Sequence, residues 1–311
     1  MSAAVATWII SGIATAGVIT RPMRWPEWIW AIAGAVLLLG LGLMPIHAAL
    51  AAVGKGTDVY LFLIGMMLLS ETARMHGLFD WVAATAVNSA KGSTNRLFLL
   101  VYGAGVVVTT FLSNDATAVV LTPAVFAVAR KADAEPLPLL LACALVANAA
   151  SFVLPISNPA NLVLYGGHMP PLGMWLGAFA LPSLAAILVT FLVLRWVEAN
   201  RLGASCACDI VREPLSRGGR GAFVGIAVTV LVLLVISAFD KPLGLPTAIV
   251  GIGSAIAVSL IARSSPLALF RDVSWGVLPL VAGLFVLVEG LGRTGVIHEL
   301  AVAMQGISVR P

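Results

Sequence analysis

A carboxylate stands in a strongly apolar stretch of the sequence, in the tripeptide Ser113-Asn114-Asp115. An ionisable side chain in such surroundings is costly inside a membrane and typically marks an ion or proton pathway. The alternative is a plain external loop with Asp115 solvated, but the turn is short and poor in Lys, Gly and Pro. With Thr117 two positions further on, the motif predicts a site that binds a small polar solute or ion, with Asp115 carrying the coupling proton.

A second polar interruption is the segment Pro155-Ile-Ser157-Asn158-Pro159-Ala-Asn161. Two prolines so close together cannot lie in an uninterrupted helix, because each removes a backbone donor and clashes with the preceding turn. Unwound backbone frees carbonyl groups for a cation or a substrate, and at membrane depth it is tolerated only where it is buried in protein or lines a cavity. The alternative is a loop that ends the span at Leu154. We favour a broken crossing in which Ser157, Asn158 and Asn161 bind the substrate or ion.

Two further acids lie in apolar segments, and each is followed one turn later by an arginine. Glu71 and Arg74, like Glu289 and Arg293, are spaced so that each pair shares one helix face. Glu71 is a second candidate for the proton carrier, with a structural ion pair as an equal alternative. The sequence contains no nucleophile–base pair, metal-ligand cluster or cofactor motif, so it predicts no enzyme, metal or cofactor.

The elements that must position these residues are apolar helices. Of the 311 residues, 60% are hydrophobic and only 10% are charged, against about 25% charged in soluble domains. Stretches of roughly 17 to 25 apolar residues, the length that crosses a bilayer, recur along the chain. We therefore predict an all-α polytopic membrane protein in contact with lipid. The predicted apolar segments are 2–20, 28–46, 58–74, 97–112, 116–129, 137–155, 173–194, 222–239, 246–261 and 275–291. The tryptophans near their ends are predicted interface anchors: Trp25, Trp28, Trp175, Trp196 and Trp275.

Basic residues predict the orientation of these segments, because cytoplasmic loops are enriched in Lys and Arg. The loop 199–221 contains Arg201, Arg212, Arg217 and Arg220, so we place it in the cytoplasm. Counting from this loop puts the turn at His168 and the N-terminus outside. The segments between residues 96 and 130 then leave the cytoplasmic face and return to it, as either a re-entrant hairpin or two crossings. The net charge of +4 belongs to these loops and does not indicate a nucleic-acid partner.

The chain also contains two related membrane units. Two prolines recur 220 positions later, Pro22 and Pro26 as Pro242 and Pro246, and three other residues recur 218 positions later, Gly65, Glu71 and Gly77 as Gly283, Glu289 and Gly295. The sidedness count gives the two copies opposite orientations, which is the geometry of an inverted-repeat carrier. We predict a first repeat at 1–198, with three spans, a hairpin at 96–130, a broken helix at 137–165 and a closing span at 173–197. A cytoplasmic basic linker at 199–221 and an incomplete second repeat of three spans at 222–311 follow.

Both polar motifs resemble those of the ion transporter superfamily, and the nearest branch is the arsenite/antimonite efflux permeases of the ArsB type. SNDATAVVLTPAV at 113–125 is similar to the Asn-Asp and Leu-Thr-Pro elements of that branch's first hairpin. ANAASFVLPISNPANLVLYG at 147–166 is similar to its Ser-Asn-x-x-Asn element. Dicarboxylate and sulfate carriers of the superfamily have Ser-Asn-Thr at the hairpin tip, so Asp115 departs from their pattern.

The resemblance implies export of arsenite or antimonite, as the neutral hydroxide, in exchange for protons across a bacterial inner membrane. A carboxylate at the hairpin tip agrees with this, because it repels anionic substrates. The resemblance also implies optional pairing with a soluble, arsenite-stimulated ATPase subunit at the cytoplasmic face. The alternatives are a Na⁺-coupled carrier of the same superfamily (a Na⁺/H⁺ antiporter or an organic-anion transporter) and, from another class, a non-transporting membrane subunit.

The superfamily has a second hairpin and a second broken helix in its second half. Adding 218 to the number of Asn114 gives position 332, beyond Pro311. We therefore expect that the chain is truncated within its second repeat and that this chain alone does not transport.

Overall fold

The computed structural model describes residues 2–165, 170–203, 206, 214–239, 241–296 and 299. Within these residues, regular structure consists of helices, without β-strands. The α-helices are α1 Ala3–Thr20, α2 Glu27–Gly40, α3 Ile46–Lys55, α4 Thr57–Met75, α5 Leu78–Ala90, α6 Thr94–Phe111, α7 Thr122–Lys131, α8 Pro136–Ala149, α9 Pro159–Tyr165, α10 Leu172–Val197, α11 Ala199–Leu202, α12 Arg217–Ala238, α13 Gly244–Ala262, α14 Pro266–Asp272 and α15 Val277–Arg293. A π-helical segment, Ala116–Leu121, precedes α7, and short 3-10 turns lie at Pro22–Arg24 and Pro155–Ser157.

In the described part of the chain, the five helices α1, α6, α10, α12 and α13 are long and apolar enough to cross a membrane. Two pairs of consecutive helices, α3 with α4 and α14 with α15, pass the same test together and are bent by 49° and 45°. Counting each bent pair as one span brings the number to seven. The prediction of an all-α polytopic membrane protein is confirmed.

Several element boundaries differ from the predicted ones for local backbone reasons. The predicted segment 28–46 is helical only to Gly40, because the chain turns at Gly42 in the left-handed region (φ 64°), which glycine adopts readily. Pro45 then precedes α3, a helix that the sequence did not predict. Helix α5 was also missed, because its 13 residues are too few to span a bilayer.

The predicted basic linker 199–221 is partly helical. Helix α11 takes up its first residues, and α12 begins at Arg217, where the Ser216 hydroxyl accepts a hydrogen bond from the Gly219 N–H at 2.9 Å. This contact is a typical helix N-cap. Arg212 of the linker, and His168 of the predicted external turn, lie outside the described residues.

The contacts between residues divide the chain into two compact units. The first unit comprises residues 1–60 and 274–311 and contains α1, α2, α3 and α15. Its core consists of small and aliphatic side chains, among them Ala14, Ala35, Leu38 and Leu287. The helices pack closely because small residues lie at their crossings: a Cβ added at Gly34 would lie 2.6 Å from the Ala14 Cβ.

The second unit comprises residues 61–273, and it contains both polar motifs. Helix α8 packs against α6, α7 and α10, and α12 packs against α13. Tyr102 of α6 donates a hydrogen bond to the Ile187 carbonyl of α10 at 2.8 Å. The two units are a grouping by contact, and the division of the chain into repeats stays a prediction.

Candidate solute-binding site

The first polar motif forms the tight turn that joins α6 to the following helical segment. The Ser113 hydroxyl accepts a hydrogen bond from the Ala116 N–H at 3.2 Å, as a helix N-cap does. Helical backbone resumes at Asn114, so the turn itself consists of Leu112 and Ser113 only. The segment predicted as the hairpin 96–130 therefore corresponds to α6, this turn, the π-helical segment and α7.

The returning arm begins as a π-helix, a form that occurs mostly as short bulges and frequently at functional sites. Within it, the Thr117 carbonyl accepts hydrogen bonds from the Thr122 N–H and from the Thr122 hydroxyl at 2.8 Å. The buried hydroxyl groups of Thr117 and Thr109 are 2.8 Å apart. Thr117 therefore ties the returning arm to α6.

The second polar motif lies in a break between two helices. Helix α8 ends at Ala149 and α9 begins at Pro159, and we call the non-α-helical residues 150–158 between them the break. The buried Asn161 side chain donates to the carbonyl groups of Ser151, at 3.0 Å, and Pro155, at 3.2 Å. These bonds satisfy backbone acceptors that the interrupted helix leaves without partners.

An aromatic cluster around the buried Trp175 of α10 contacts the break. The Trp175 indole N–H donates to the Phe152 carbonyl at 3.0 Å, and the Trp175 ring contacts Phe152, Tyr165 and Phe179. Trp175 is 1% exposed, so this predicted interface anchor instead supports the unwound backbone.

Ser157 joins the hairpin to the break. Its hydroxyl accepts from the Leu154 N–H at 3.0 Å and donates to the Thr110 carbonyl, also at 3.0 Å. Helices α6 and α8 approach closely beside this link, since a Cβ added at Gly105 would lie 2.5 Å from Val146 Cγ1. We call the polar residues that hold the two motifs in place the hydrogen-bonded frame: Thr109, Ser113, Thr117, Ser157 and Asn161.

The remaining predicted residues, Asn114, Asp115 and Asn158, differ in burial and in their hydrogen bonds. Asn114 Oδ1 is buried, and so is the hydroxyl of Thr110; neither has a hydrogen-bond partner among the described residues. Asp115 is exposed. Asn158 is half-buried, and its Oδ1 accepts from the Ala160 N–H at 2.9 Å. An unpaired buried polar atom costs about 1–3 kcal/mol, so these two groups are candidates for hydrogen bonds to a solute.

The structure thus divides the seven predicted binding residues into two groups. Ser113, Thr117, Ser157 and Asn161 use their side chains to hold the two motifs in place, whereas for Asn114, Asp115 and Asn158 solute binding stays a prediction. Sequence reasoning missed Thr109, Thr110 and Trp175. The two threonines could have been found, because adjacent hydroxyl residues one turn before Asp115 interrupt an apolar helix.

Glu71, the other candidate proton carrier, is buried on α4 in an ion pair. The Arg74 Nε–H donates to its two carboxylate oxygens at 3.0 and 2.8 Å. Arg74 Nη2 also lies 3.1 Å from Asp272 Oδ2. The ion pair that the spacing allowed is therefore present, and proton transfer by Glu71 stays a prediction.

Comparisons with known proteins agree with a transporter-type chain. The chain is 28% identical to an uncharacterized transporter of Mycobacterium tuberculosis over 288 residues, which cover 88% of this chain and 65% of that protein. It is 22% identical to an uncharacterized transporter of Synechocystis over 282 residues, which cover 87% of the chain and 62% of that protein. It is 23% identical to an arsenical pump membrane protein of Escherichia coli over 282 residues, covering 87% of the chain and 65% of that protein.

The chain therefore spans a little under two thirds of the length of these curated relatives. A family model described as citrate transporter (CitMHS) matches residues 7–311. A match over that span establishes that this chain belongs to the citrate transporter family.

Proposed function

We propose that the protein to which this chain belongs is a proton-coupled secondary transporter that exports a small neutral oxyacid, with arsenite and antimonite as the leading substrates. The observation that carries the proposal is the chemistry of the candidate site. Its predicted residues supply amide, hydroxyl and carboxylate groups, and none of them is Lys or Arg. Such a site suits an uncharged solute that both donates and accepts hydrogen bonds.

The buried atoms without partners favour a solute with several hydroxyl groups. Asn114 Oδ1 accepts hydrogen bonds only, and the Thr110 hydroxyl both donates and accepts. A trihydroxide of arsenic or antimony offers donors to the first and either role to the second. Binding then supplies the hydrogen bonds that the described residues do not.

Asp115 is the better candidate for the coupling proton. It is exposed just after the hairpin turn and forms no ion pair among the described residues, whereas Glu71 is held by Arg74. In the proposed cycle Asp115 accepts a proton from one side and releases it on the other. Solute and proton bind in alternation, so that each proton moving down its gradient drives solute outward.

A Na⁺-coupled carrier of organic anions is the second candidate, and the family description, citrate transporter, favours it. Citrate carries several negative charges, which the predicted residues do not balance with a side-chain cation. Bound Na⁺ ions would have to supply that charge, and the unwound backbone of the break is the kind of segment whose carbonyl groups coordinate Na⁺ in transporters.

The test uses the full-length gene in a bacterial host that lacks arsenite efflux. We expect arsenite resistance in cells, and arsenite uptake by everted membrane vesicles that depends on a pH gradient. Citrate uptake with a strict Na⁺ requirement, and no arsenite uptake, would replace the first candidate by the second. Failure of both fluxes with the complete protein would support the non-transporting subunit.

The residue-level prediction of this proposal is that Asp115→Asn abolishes arsenite resistance while leaving the amount of protein in the membrane unchanged. The matched control is Asp133→Asn, at an exposed position with φ of 52°, where Asn is well tolerated. Resistance and vesicle uptake are measured for both variants. Full resistance in Asp115→Asn would remove Asp115 from the mechanism.

The soluble ATPase partner and the bacterial inner-membrane location belong to the same proposal and rest on the resemblance. Co-expression of an arsenite-stimulated ATPase should raise resistance further if it docks at the cytoplasmic face. If resistance does not change although both proteins are present in the cell, the proton gradient alone drives export and the ATPase is not a partner.

A further inference from the structure

The two bent helix pairs occupy matching places in the two predicted copies. Helices α3 and α4 are bent by 49°, and α14 and α15 by 45°. The longer arms, α4 and α15, carry two of the residue pairs that recur 218 positions apart, Gly65 with Gly283 and Glu71 with Glu289. In each pair the short arm ends in a charged residue, Lys55 in α3 and Asp272 in α14. We call α4 and α15 the third spans and α2 and α13 the second spans of their copies.

Each third span packs against the second span of the other copy. Gly65 of α4 meets α13, where a Cβ added at Gly251 would lie 2.3 Å from the Gly65 carbonyl oxygen. Gly283 of α15 meets α2, where its added Cβ would lie 2.8 Å from the Ala31 Cβ. Such distances require near-contact of the two backbones, which only very small residues permit.

These two contacts use equivalent residues. Gly283 follows Gly65 by 218 positions, and Gly251 follows Ala31 by 220 positions, which are the two offsets of the sequence repeat. One contact lies in the unit of residues 61–273 and the other in the unit of residues 1–60 and 274–311. An exchange of third spans between copies explains why each unit combines helices from both.

An ion pair accompanies each exchanged span. In one unit, Lys55 Nζ donates to Glu289 Oε2 of α15 at 2.8 Å, and Arg293 Nε lies 3.4 Å from Glu289 Oε1. In the other unit, Arg74 of α4 pairs with Glu71 and lies 3.1 Å from Asp272 Oδ2. Each third span thus contains a Glu–Arg pair. The short arm of the other copy supplies the third charge, which is Lys55 beside Glu289 in one case and Asp272 beside Arg74 in the other.

We propose that the chain consists of two copies that exchange their third spans, and that Lys55–Glu289 and Asp272–Arg74 are matched ionic clamps. Each clamp fastens the short arm of one copy to the third span of the other within one unit. The proposal is independent of what the protein transports, so its tests use the purified full-length protein and need no flux.

The first test measures release of the short arms. Reporter cysteines replace Ala52 of α3 and Leu269 of α14, which are 1% and 2% exposed, in protein whose three native cysteines are changed to Ser. Lys55→Gln and Asp272→Asn should each speed maleimide labelling of the reporter on the same arm by about two- to fivefold, as expected for a partly exposed ion pair. The controls Lys55→Arg and Asp272→Glu keep the charge and should label like the parent. Equal labelling of the neutral and conservative variants would overturn the clamps.

The second test measures the exchange itself. The contacts at Gly65 and Gly283 are too close for a disulfide, so the cysteine pair replaces Leu38 of α2 and Gly290 of α15, where a Cβ added at Gly290 would lie 2.9 Å from Leu38 Cδ1. This pair should form a disulfide on oxidation, and after cleavage at a protease site placed among residues 204–213 the disulfide should hold the two fragments together. The control pair uses Gly103 and Gly253, where an added Cβ meets nothing within 4 Å. Equal crosslinking of the control pair, or no crosslinking of the pair at 38 and 290, would contradict the exchange.

Discussion

At the scale of single residues, the candidate site contains two kinds of polar side chain. Ser157 and Asn161 are fully used by backbone partners on α6 and in the break. Asn114 Oδ1 and the Thr110 hydroxyl are buried and have no hydrogen-bond partner among the described residues. The first kind holds irregular backbone in place within the membrane, and we propose that the second kind binds the solute.

Removing the Ser157 hydroxyl should destabilise the break. Ser157→Ala leaves the Leu154 N–H and the Thr110 carbonyl without this partner, and a buried group in that condition costs about 1–3 kcal/mol. We expect Ser157→Ala to lower the temperature at which half of the detergent-purified protein loses its monodisperse peak. The control is Ser237→Ala, whose buried hydroxyl has no partner among the described residues. Equal loss in both variants would show that the Ser157 link is not specific.

Removing the free amide of Asn114 should affect binding more than stability. We expect Asn114→Ala to raise the KM for the transported solute by about three- to tenfold, because one or more hydrogen bonds to the solute are lost. Asn148→Ala is the matched control, since its exposed side chain bonds only to its own helix, at the Ala144 carbonyl. An unchanged KM in Asn114→Ala would remove this residue from the site.

At the scale of elements, small residues bring the helices close together. Gly105 allows α6 to approach α8, and this approach lets Ser157 reach the Thr110 carbonyl. Pro155 lies inside the break, and Pro159 begins α9 at its end. Hydropathy did not predict the helices α3 and α5, because each is too short to span a bilayer by itself. Their positions depend on packing against other helices.

Enlarging Gly105 should push α6 away from α8 and separate the two motifs. Gly105→Leu places its side chain within 2.5 Å of Val146, and overpacking of this kind costs about 1–3 kcal/mol. We expect loss of both transport and thermal stability, with partial recovery when Val146→Ala makes room. Gly103→Leu is the control in the same helix, because an added Cβ there meets nothing within 4 Å. A transport loss in Gly103→Leu as large as in Gly105→Leu would contradict the packing argument.

At the scale of the whole molecule, the positive-inside count predicts which loops face the cytoplasm. We expect a fluorescent protein fused after Gly203 to fluoresce and alkaline phosphatase fused after Pro170 to be active, because the first folds in the cytoplasm and the second only outside it. Each site also receives the other reporter as its control. The reverse pattern at both sites would invert the predicted orientation, including the external N-terminus.

The sequence by itself determined the fold class and the two polar interruptions that form the candidate site. These follow from hydropathy and proline stereochemistry, which act locally. Only the tertiary structure decided which polar groups remain free, because Ser157 and Asn161 find partners 47 and 10 residues away in the chain. It also decided that α15 packs on α2, since contacts between helices distant in sequence depend on matched surfaces that no local pattern records.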